Sequence, residues 1–262
     1  MRGRLTHIVV TALGIALVHH RAVVADGQRI LIMEGGKHRL LLVDRASKAT
    51  LAENAEFRRV DCLAALSADE FIVCDGSSFV RVDGNLKERS RTPMGFERVG
   101  SISAVGGGRL LVSDTSTHSV EEIDAVGNRL WSIGVHFPSG AVRLANGNTV
   151  VADGTTLLKE FDSTGRMVRH AILARWAASL DRLASGETLV GESLGYERLD
   201  KAGRSTWFRE SKSRVTCIQE LPAGEIFLCE PDAHRVAIVD SERRTIWQYA
   251  NLDYPWRAIY LM

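Results

Sequence analysis

Short apolar runs separated by turn residues fill the chain after residue 26, and no stretch there has a strong helical periodicity. The segment 215–250 shows the pattern clearly. The run VTCIQEL is followed by Pro222-Ala223-Gly224, and then come the runs EIFLCE, RVAIVD and TIWQYA, separated by PDAH and by residues 241–244. Runs of this length, bounded by Gly, Pro and Asp, predict four short antiparallel β-strands.

This four-strand unit recurs along the chain. An acid ends the second strand of each unit, at spacings of 41, 39, 39, 39 and 38 residues, and an Asp follows it eight to ten residues later. A turn position six residues before the acid repeats with the same period. Repeats near 40 residues with four strands each are typical of β-propeller blades. The opening acids are Glu34, Asp75, Asp114, Asp153, Glu192 and Glu230, and the closing aspartates are Asp44, Asp83, Asp124, Asp162, Asp200 and Asp240.

The first and last units are incomplete in complementary ways. The chain after residue 25 enters at a second strand, and it ends on DYPWRAIYLM, which is similar to the first-strand entry HFPSGAVRL. We therefore predict an all-β fold over residues 26–262, a single six-bladed β-propeller of four-stranded blades. Its ring is closed by the C-terminal strand, which completes the N-terminal blade and leaves no free sheet edge there.

Residues 1–25 have a different layout. Arg2 and Arg4 precede a mostly apolar run over residues 8–18, and small residues at 23–25 come before Asp26. This layout is typical of a cleaved secretory signal peptide, and the apolar run is short for a transmembrane helix. A retained N-terminal anchor or an ordinary buried helix is the alternative. A cleaved signal predicts a periplasmic or secreted protein with no membrane span in the mature chain.

The four cysteines form two equivalent pairs, each 12 residues apart and symmetric about a predicted hairpin turn. Cysteines that face each other across a hairpin lie within disulfide range, and export would permit oxidation. We predict the disulfides Cys62–Cys74 and Cys217–Cys229. The alternative is four small buried thiols, because the matching positions of other units hold Ser, Ala, Gly or Met.

The fragments KHRLLLVD and AHRVAIVD resemble NHL repeats, in which an acid and a short loop precede Asn-His-Arg and an apolar run. His38, His118 and His234 stand four residues after the acid, although the Asn is absent from all three units. The Trp of GNRLW, GRSTW and RTIW is also similar to quinoprotein-type propeller repeats. The resemblance covers roughly residues 27–262. It implies a propeller architecture, which in such families serves lyases, lactonases and non-catalytic binders, so it does not imply a reaction.

Residues present in every blade are better explained by structure than by catalysis. An acid at the end of a strand can accept loop N–H bonds, and a His four residues later can bond that acid or a neighbouring carbonyl. The closing aspartates are expected to form turns. Function is therefore expected where the units differ.

The linkers from each fourth strand to the next first strand are such a place, because they share one face of the ring around its central channel. Five of the six carry a cation and several carry an aromatic residue, a combination that suits an anionic, carbohydrate-like or protein ligand. The alternative is that the arginines only pair with the ring of acids. The predicted ligand-binding residues are Arg58, Arg98, His136, Arg175, Trp176, Arg214, Tyr254 and Trp256.

The net charge of +1 argues against a nucleic-acid partner, which would select a basic surface. The sequence therefore favours an exported binding module for a small-molecule or protein ligand at the channel face, with no cofactor and no assigned metal ligands. The alternative is a small hydrolase or lyase with its active site at the channel mouth, with a divalent metal as a possible requirement.

Overall fold

The computed structural model describes residues 27–261, so the predicted signal peptide lies outside the described residues. Twenty-four strands account for most of this part of the chain. In chain order they are β1 (Arg29–Glu34), β2 (Arg39–Asp44), β3 (Thr50–Asn54), β4 (Val60–Ser67), β5 (Glu70–Asp75), β6 (Ser78–Asp83), β7 (Glu88–Pro93), β8 (Val99–Gly106), β9 (Arg109–Asp114), β10 (Ser119–Ile123), β11 (Arg129–Gly134), β12 (Gly140–Arg143), β13 (Thr149–Ala152), β14 (Leu157–Phe161), β15 (Met167–Ile172), β16 (Ala177–Arg182), β17 (Thr188–Glu192), β18 (Gly195–Leu199), β19 (Ser205–Glu210), β20 (Cys217–Glu220), β21 (Ile226–Glu230), β22 (Arg235–Val239), β23 (Thr245–Ala250) and β24 (Pro255–Leu261).

These strands form six four-stranded antiparallel sheets. Five sheets are built from consecutive strands, and the sixth has the order β24-β1-β2-β3. Two three-residue 3₁₀ helices, Pro222–Gly224 and Pro231–Ala233, form the connections from β20 to β21 and from β21 to β22. The fold is a six-bladed β-propeller, as the repeat predicted.

The ring closes through β24, as predicted. It pairs antiparallel with β1 in a register that runs from Arg29 opposite Leu261 to Glu34 opposite Pro255. Tyr260 and Leu261 are buried there, and the Tyr260 ring lies 5.9 Å from that of Phe227 in the neighbouring blade. The closing strand therefore joins the first and last blades through one shared core.

Burial falls from the inner to the outer strands of a blade. In the second blade β5 buries five of its six residues, whereas every residue of β7 is exposed. The core consists of six apolar clusters, and the cluster around Phe227 combines residues of the first and last blades. Packing between neighbouring blades, at roughly 25 cal/mol per Å² of buried apolar surface, thus holds the ring together.

The closing aspartates form turns, as expected. The carboxylates of Asp83, Asp124, Asp162, Asp200 and Asp240 each accept the backbone N–H two residues later. A further hydrogen bond from the backbone N–H of Arg204 is the main reason that the pKa of Asp200 is lowered. Each of these carboxylates thus serves as the hydrogen-bond acceptor for backbone N–H groups in the turn between the third and fourth strands.

Both cysteine pairs face each other across a hairpin, in the predicted register. Cys62 and Cys74 form a disulfide, with Cα atoms 5.0 Å apart. Cys217 and Cys229 do not, which corrects the prediction of a second disulfide. Their thiols are hydrogen-bonded to each other, and complete burial raises the pKa of the Cys229 thiol well above its usual value. A buried neutral thiol is a poor nucleophile for disulfide exchange.

We expect a thiol assay on protein unfolded without reductant to count two thiols per chain, although the chain has four cysteines. Peptide mapping after alkylation should place both on the hairpin of β20 and β21. A count of four would contradict the Cys62–Cys74 disulfide, and a count of zero would contradict the free pair.

Within residues 27–261 no helix has the length and apolar character needed to cross a membrane.

Candidate functional site

Three of the six opening acids hold linker backbone in place. Asp75 accepts the backbone N–H groups of Arg58 and Arg59, each at 2.9 Å, Glu34 accepts that of Asp253 at 2.5 Å, and Glu192 accepts that of Arg175 at 3.3 Å. Asp114 and Asp153 accept instead from the loop that follows their own strand. All six acids are buried, with at most 5% of their surface exposed, and a buried carboxylate needs such donors.

The repeated histidines have a similar role. His38, His118 and His234 all adopt a left-handed backbone conformation, with φ between 50° and 55°. The Nδ1 atom of His234 lies 3.0 Å from the carbonyl oxygen of Leu252, and Nδ1 of His118 accepts the N–H of Phe137 at 3.2 Å. His118 and His234 therefore anchor the linker that follows their own blade, which agrees with a structural role.

The linkers surround a cavity of about 400 Å³ at the channel mouth, which we call the outer cavity. Every blade-to-blade linker, or the strand that follows it, contributes to its lining. Its charged residues are Arg59, Asp61, Arg98, Arg214 and Arg257, and its aromatic residues are Phe137, Trp176 and Trp256. The site thus combines guanidinium groups with large apolar surfaces.

Arg214 organises one wall of the outer cavity. Its guanidinium binds both carboxylate oxygens of Asp232, with Nη2 at 3.0 Å and Nε at 3.2 Å, and it donates to the hydroxyl of Tyr254. The bond to Asp232 raises the pKa of Arg214. Tyr254 and Trp256 are stacked 5.7 Å apart, and the guanidinium lies 5.6 Å from each ring centre. Arg214 is therefore a neutralised group that holds an aromatic wall.

Phe137 and Trp176 form the facing apolar surface. They are 44% and 45% exposed, and both line the outer cavity. Phe137 has a positive φ of 44°, and a Cβ atom on Gly154 would come within 2.4 Å of its Cβ. The absence of a side chain at Gly154 is therefore what allows Phe137 to lie over the cavity.

The charges of the outer cavity do not cancel. Arg59 pairs with Asp61 at 2.7 Å, and Arg214 pairs with Asp232. Among residues 27–261, Arg98 and Arg257 have no carboxylate partner. Arg98 is exposed at the rim, whereas Arg257 lies at the base. Two uncompensated guanidinium groups leave a local charge of about +2, which favours an anion.

Four of the eight predicted ligand-binding residues line the outer cavity, and Tyr254 contacts it through Arg214. The other three do not line it. Arg58 projects into solvent, Arg175 pairs with Glu210 at 3.2 Å, and His136 stacks on His118 with ring centres 5.1 Å apart. In each of these three cases a residue next to the predicted one lines the outer cavity. The four predicted residues that do line it are Arg98, Trp176, Arg214 and Trp256.

Arg257 is absent from the predicted ligand-binding residues, although its position in the repeat distinguishes it in the sequence. Each first-strand segment ends near an apolar residue, at Leu66, Val105, Leu144, Leu183, Leu221 or Leu261, and the residues four positions before these are Cys62, Ser101, Gly140, Ser179, Cys217 and Arg257. Five of these are small, and one is a cation. All but Cys62 line a second cavity in the channel, below the outer one. The small side chains leave the space that the Arg257 side chain enters.

A carboxyl pair supports the linker that carries Trp176. Glu192 and Glu197 are fully buried, and they accept the backbone N–H groups of Arg175 at 3.3 Å and Ala174 at 3.0 Å. Burial, and then the hydrogen bond and charge of Glu197, raise the pKa of Glu192 to about 8. The Oε2 atoms of Glu192 and Glu197 have no hydrogen-bond partner among residues 27–261. With a pKa of about 8, Glu192 is mostly protonated at neutral pH.

No group of three or more His, Cys, Asp or Glu side chains within residues 27–261 is placed to hold a metal ion.

No protein-family model and no curated protein matches this sequence. Solved structures with the same fold do match. They include a protein of unknown function from Bacteroides caccae (TM-score 0.76, 15% identity, 90% of this chain and 99% of that chain). A propeller in a nidogen/laminin complex gives a TM-score of 0.69 at 14% identity, over 90% of this chain and 99% of that one. A streptogramin B lyase gives 0.64 at 12% identity, over 85% and 79%. At these identities the likeness is one of fold.

Proposed function

We propose that the protein is an exported binding module whose outer cavity takes an anionic ligand with a planar or apolar body. The observation that carries the proposal is the unbalanced charge: Arg98 has no carboxylate partner among residues 27–261, whereas Arg59 and Arg214 in the same cavity are paired. A carboxylate, phosphate or sulfonate would accept hydrogen bonds from the Arg98 guanidinium in a partly desolvated setting.

The aromatic residues define the rest of the ligand. Trp256 presents a ring held by stacking on Tyr254, and Trp176 and Phe137 expose apolar surface to the same space. A planar ring or the apolar face of a sugar packs well on such surfaces. The volume of about 400 Å³ fits a small molecule, or an acidic side chain inserted from a protein partner.

The compartment and the repeat type belong to this proposal. The layout of residues 1–25 and the Cys62–Cys74 disulfide support a periplasmic or secreted location. The position of His38, His118 and His234 four residues after the opening acid supports assignment of the blades to the NHL type. Binding of this kind needs no resident cofactor.

Two matched probes test the charge requirement. Anilinonaphthalene sulfonate carries an aromatic body and one negative charge, and N-phenylnaphthylamine has a similar body without the charge. We expect the sulfonate to bind the native protein with one-to-one stoichiometry in a fluorescence titration. Arg98→Met, which keeps the side-chain stem, should weaken its affinity roughly tenfold, the usual effect of losing a charge-assisted hydrogen bond.

Arg58→Met is the matched control, because Arg58 is also exposed and lies outside the cavity lining. It should change the sulfonate affinity by less than about twofold. The neutral probe should respond to neither arginine, while Trp176→Ala should weaken both probes. Equal effects of Arg98→Met and Arg58→Met would contradict the proposed site.

The alternative is a hydrolase or lyase acting at the same channel mouth. The observation that favours it is the stack of His118 and His136 beside Phe137, which places two imidazoles next to the outer cavity. Metal analysis of protein purified without a histidine tag separates the two proposals. A stoichiometric divalent ion that is lost in His136→Ala would favour the enzyme, and its absence would leave the binding module.

A further inference from the structure

A second cavity of about 170 Å³ lies in the central channel on the inner side of Arg257, and we call it the inner chamber. Arg257 and Ser139 line both cavities. Apart from Arg257, every residue that lines the inner chamber is uncharged. The chamber is therefore a small neutral space with one guanidinium group in its wall.

The guanidinium of Arg257 is only partly satisfied by the protein. Nη2 donates to the carbonyl oxygen of Gly100 at 2.7 Å, and Nη1 donates to those of Ala178 and Thr216. These three bonds come from three different blades. Arginine has five N–H donors, so Nε–H and one Nη2–H remain without a partner among residues 27–261.

No carboxylate of residues 27–261 forms an ion pair with Arg257, and none lines the inner chamber. Desolvation lowers the pKa of Arg257 from its usual high range, but a guanidinium keeps its proton in proteins. The Arg257 side chain is half-buried and lines both cavities. An anion in the inner chamber would therefore meet this guanidinium with no competing carboxylate.

The hydroxyl groups around the inner chamber are not available to a ligand. The lining serines donate within the protein, to Ser113 and to backbone carbonyls; they are Ser101, Ser103, Ser139 and Ser179. The Oγ1 atom of Thr216 has no accessible surface, so it does not face the chamber. The two unpartnered N–H groups of Arg257 are therefore the donors that the chamber lining offers.

We propose that the inner chamber is a binding site for a small inorganic anion, held by Arg257 Nε–H and Arg257 Nη2–H. The anion supplies a counterion for Arg257, and two donors with no carboxylate in the chamber lining suit either a halide or a compact oxyanion. The volume accommodates such an ion together with one or two waters, at about 30 Å³ per water. This site does not depend on the function proposed for the outer cavity.

Its test uses the full protein dialysed into sodium gluconate and titrated with bromide, nitrate or phosphate at constant ionic strength. We expect the melting temperature to rise with anion concentration and to saturate, because an ion bound only by the folded state stabilises it. Crystals soaked in bromide should show an anomalous peak beside Arg257. Comparison of the three salts distinguishes a halide site from an oxyanion site.

Arg257→Lys keeps the positive charge and removes the Nε–H and Nη2–H pair, so it should weaken the apparent anion affinity roughly tenfold while the protein still folds. Arg257→Met should abolish the response. Arg98→Met removes the guanidinium proposed to bind anions in the outer cavity and should retain a saturable response, which separates the two sites. A melting temperature independent of the anion with no anomalous peak, or an unchanged response in Arg257→Lys, would overturn the assignment.

Discussion

A chain that ends at residue 253, and so lacks β24, is expected to lose cooperative folding. The deletion removes the partner of β1 and exposes the core shared by the first and last blades. Fully burying side chains such as Tyr260 and Leu261 contributes about 1.5–3 kcal/mol each. Their loss is comparable with the roughly 5–15 kcal/mol that stabilises a typical domain. Circular dichroism during heating should show no sharp transition.

The matched control is a circular permutant in which residues 254–262 are placed directly before residue 27. Leu261 lies opposite Arg29, so the permuted segment can reach its sheet through a short turn. This protein should melt cooperatively, close to the full chain. A truncated chain that unfolds sharply within a few degrees of the full chain would show that β24 does not close the ring.

A loss of stability between pH 5 and pH 8 is the second large effect we expect. Glu192 has an ordinary pKa of 4.5 when unfolded and a pKa of about 8 in the folded protein. The folded state therefore holds a proton that the unfolded state releases. The stabilising effect is complete below pH 4.5 and is lost as the pH rises through 8. The aspartates with lowered pKa change the free energy of unfolding only at lower pH, because their stabilising contribution is already complete above about pH 4.

Glu192→Gln should remove most of this dependence, because an amide can donate to Glu197 without titrating. We expect the melting temperature of the natural protein to fall by on the order of 10 °C between pH 5 and 8, and that of the variant to fall much less. Glu56→Gln, at an exposed position, is the control and should follow the natural protein. Parallel curves for natural protein and Glu192→Gln would show that Glu192 does not hold a proton in the folded protein at neutral pH.

The same carboxyl pair links acidity to the candidate site. Glu192 and Glu197 hold the backbone of Ala174 and Arg175, and the next residue is Trp176 in the outer cavity. Ionisation of both carboxyls would place two like charges side by side beneath this linker. Ligand affinity is therefore expected to weaken in the same pH range as stability.

The architecture could be read from the sequence because it depends on features that occur in every blade. The apolar runs, the acid at the end of each second strand and the turn aspartates all recur with one period, so chance similarity is easily excluded. The ring closure followed from comparing the two ends of the chain. Register of the hairpins followed too, since Cys217 and Cys229 lie opposite each other as predicted.

The site was predictable only to the level of the linker. Adjacent residues of an extended segment point to opposite sides, and a linker has no sheet partner that would fix which side faces the channel. The cavity is therefore lined by Arg59 rather than Arg58, and by Phe137 rather than His136. Arg257 differs, because its position in a column of small residues marks it in the sequence itself.

The ion pairs of the outer cavity differ from those that the alternative interpretation of the linkers predicts. In that alternative the linker arginines pair with the opening acids. Within residues 27–261, no arginine of the outer cavity forms an ion pair with an opening acid. Arg59 and Arg214 pair with Asp61 and Asp232, which are not opening acids. The opening acids are used by backbone N–H groups and by strand residues, as with Asp75 and Arg91.

The most direct test of the central claim is a crystal structure of the protein soaked with anilinonaphthalene sulfonate. We predict that the sulfonate lies within hydrogen-bonding distance of the Arg98 guanidinium and that the aromatic body lies between Trp176 and Trp256. A probe found on the outer strands of the blades, or density only outside the outer cavity, would contradict the proposal that this cavity binds anionic ligands.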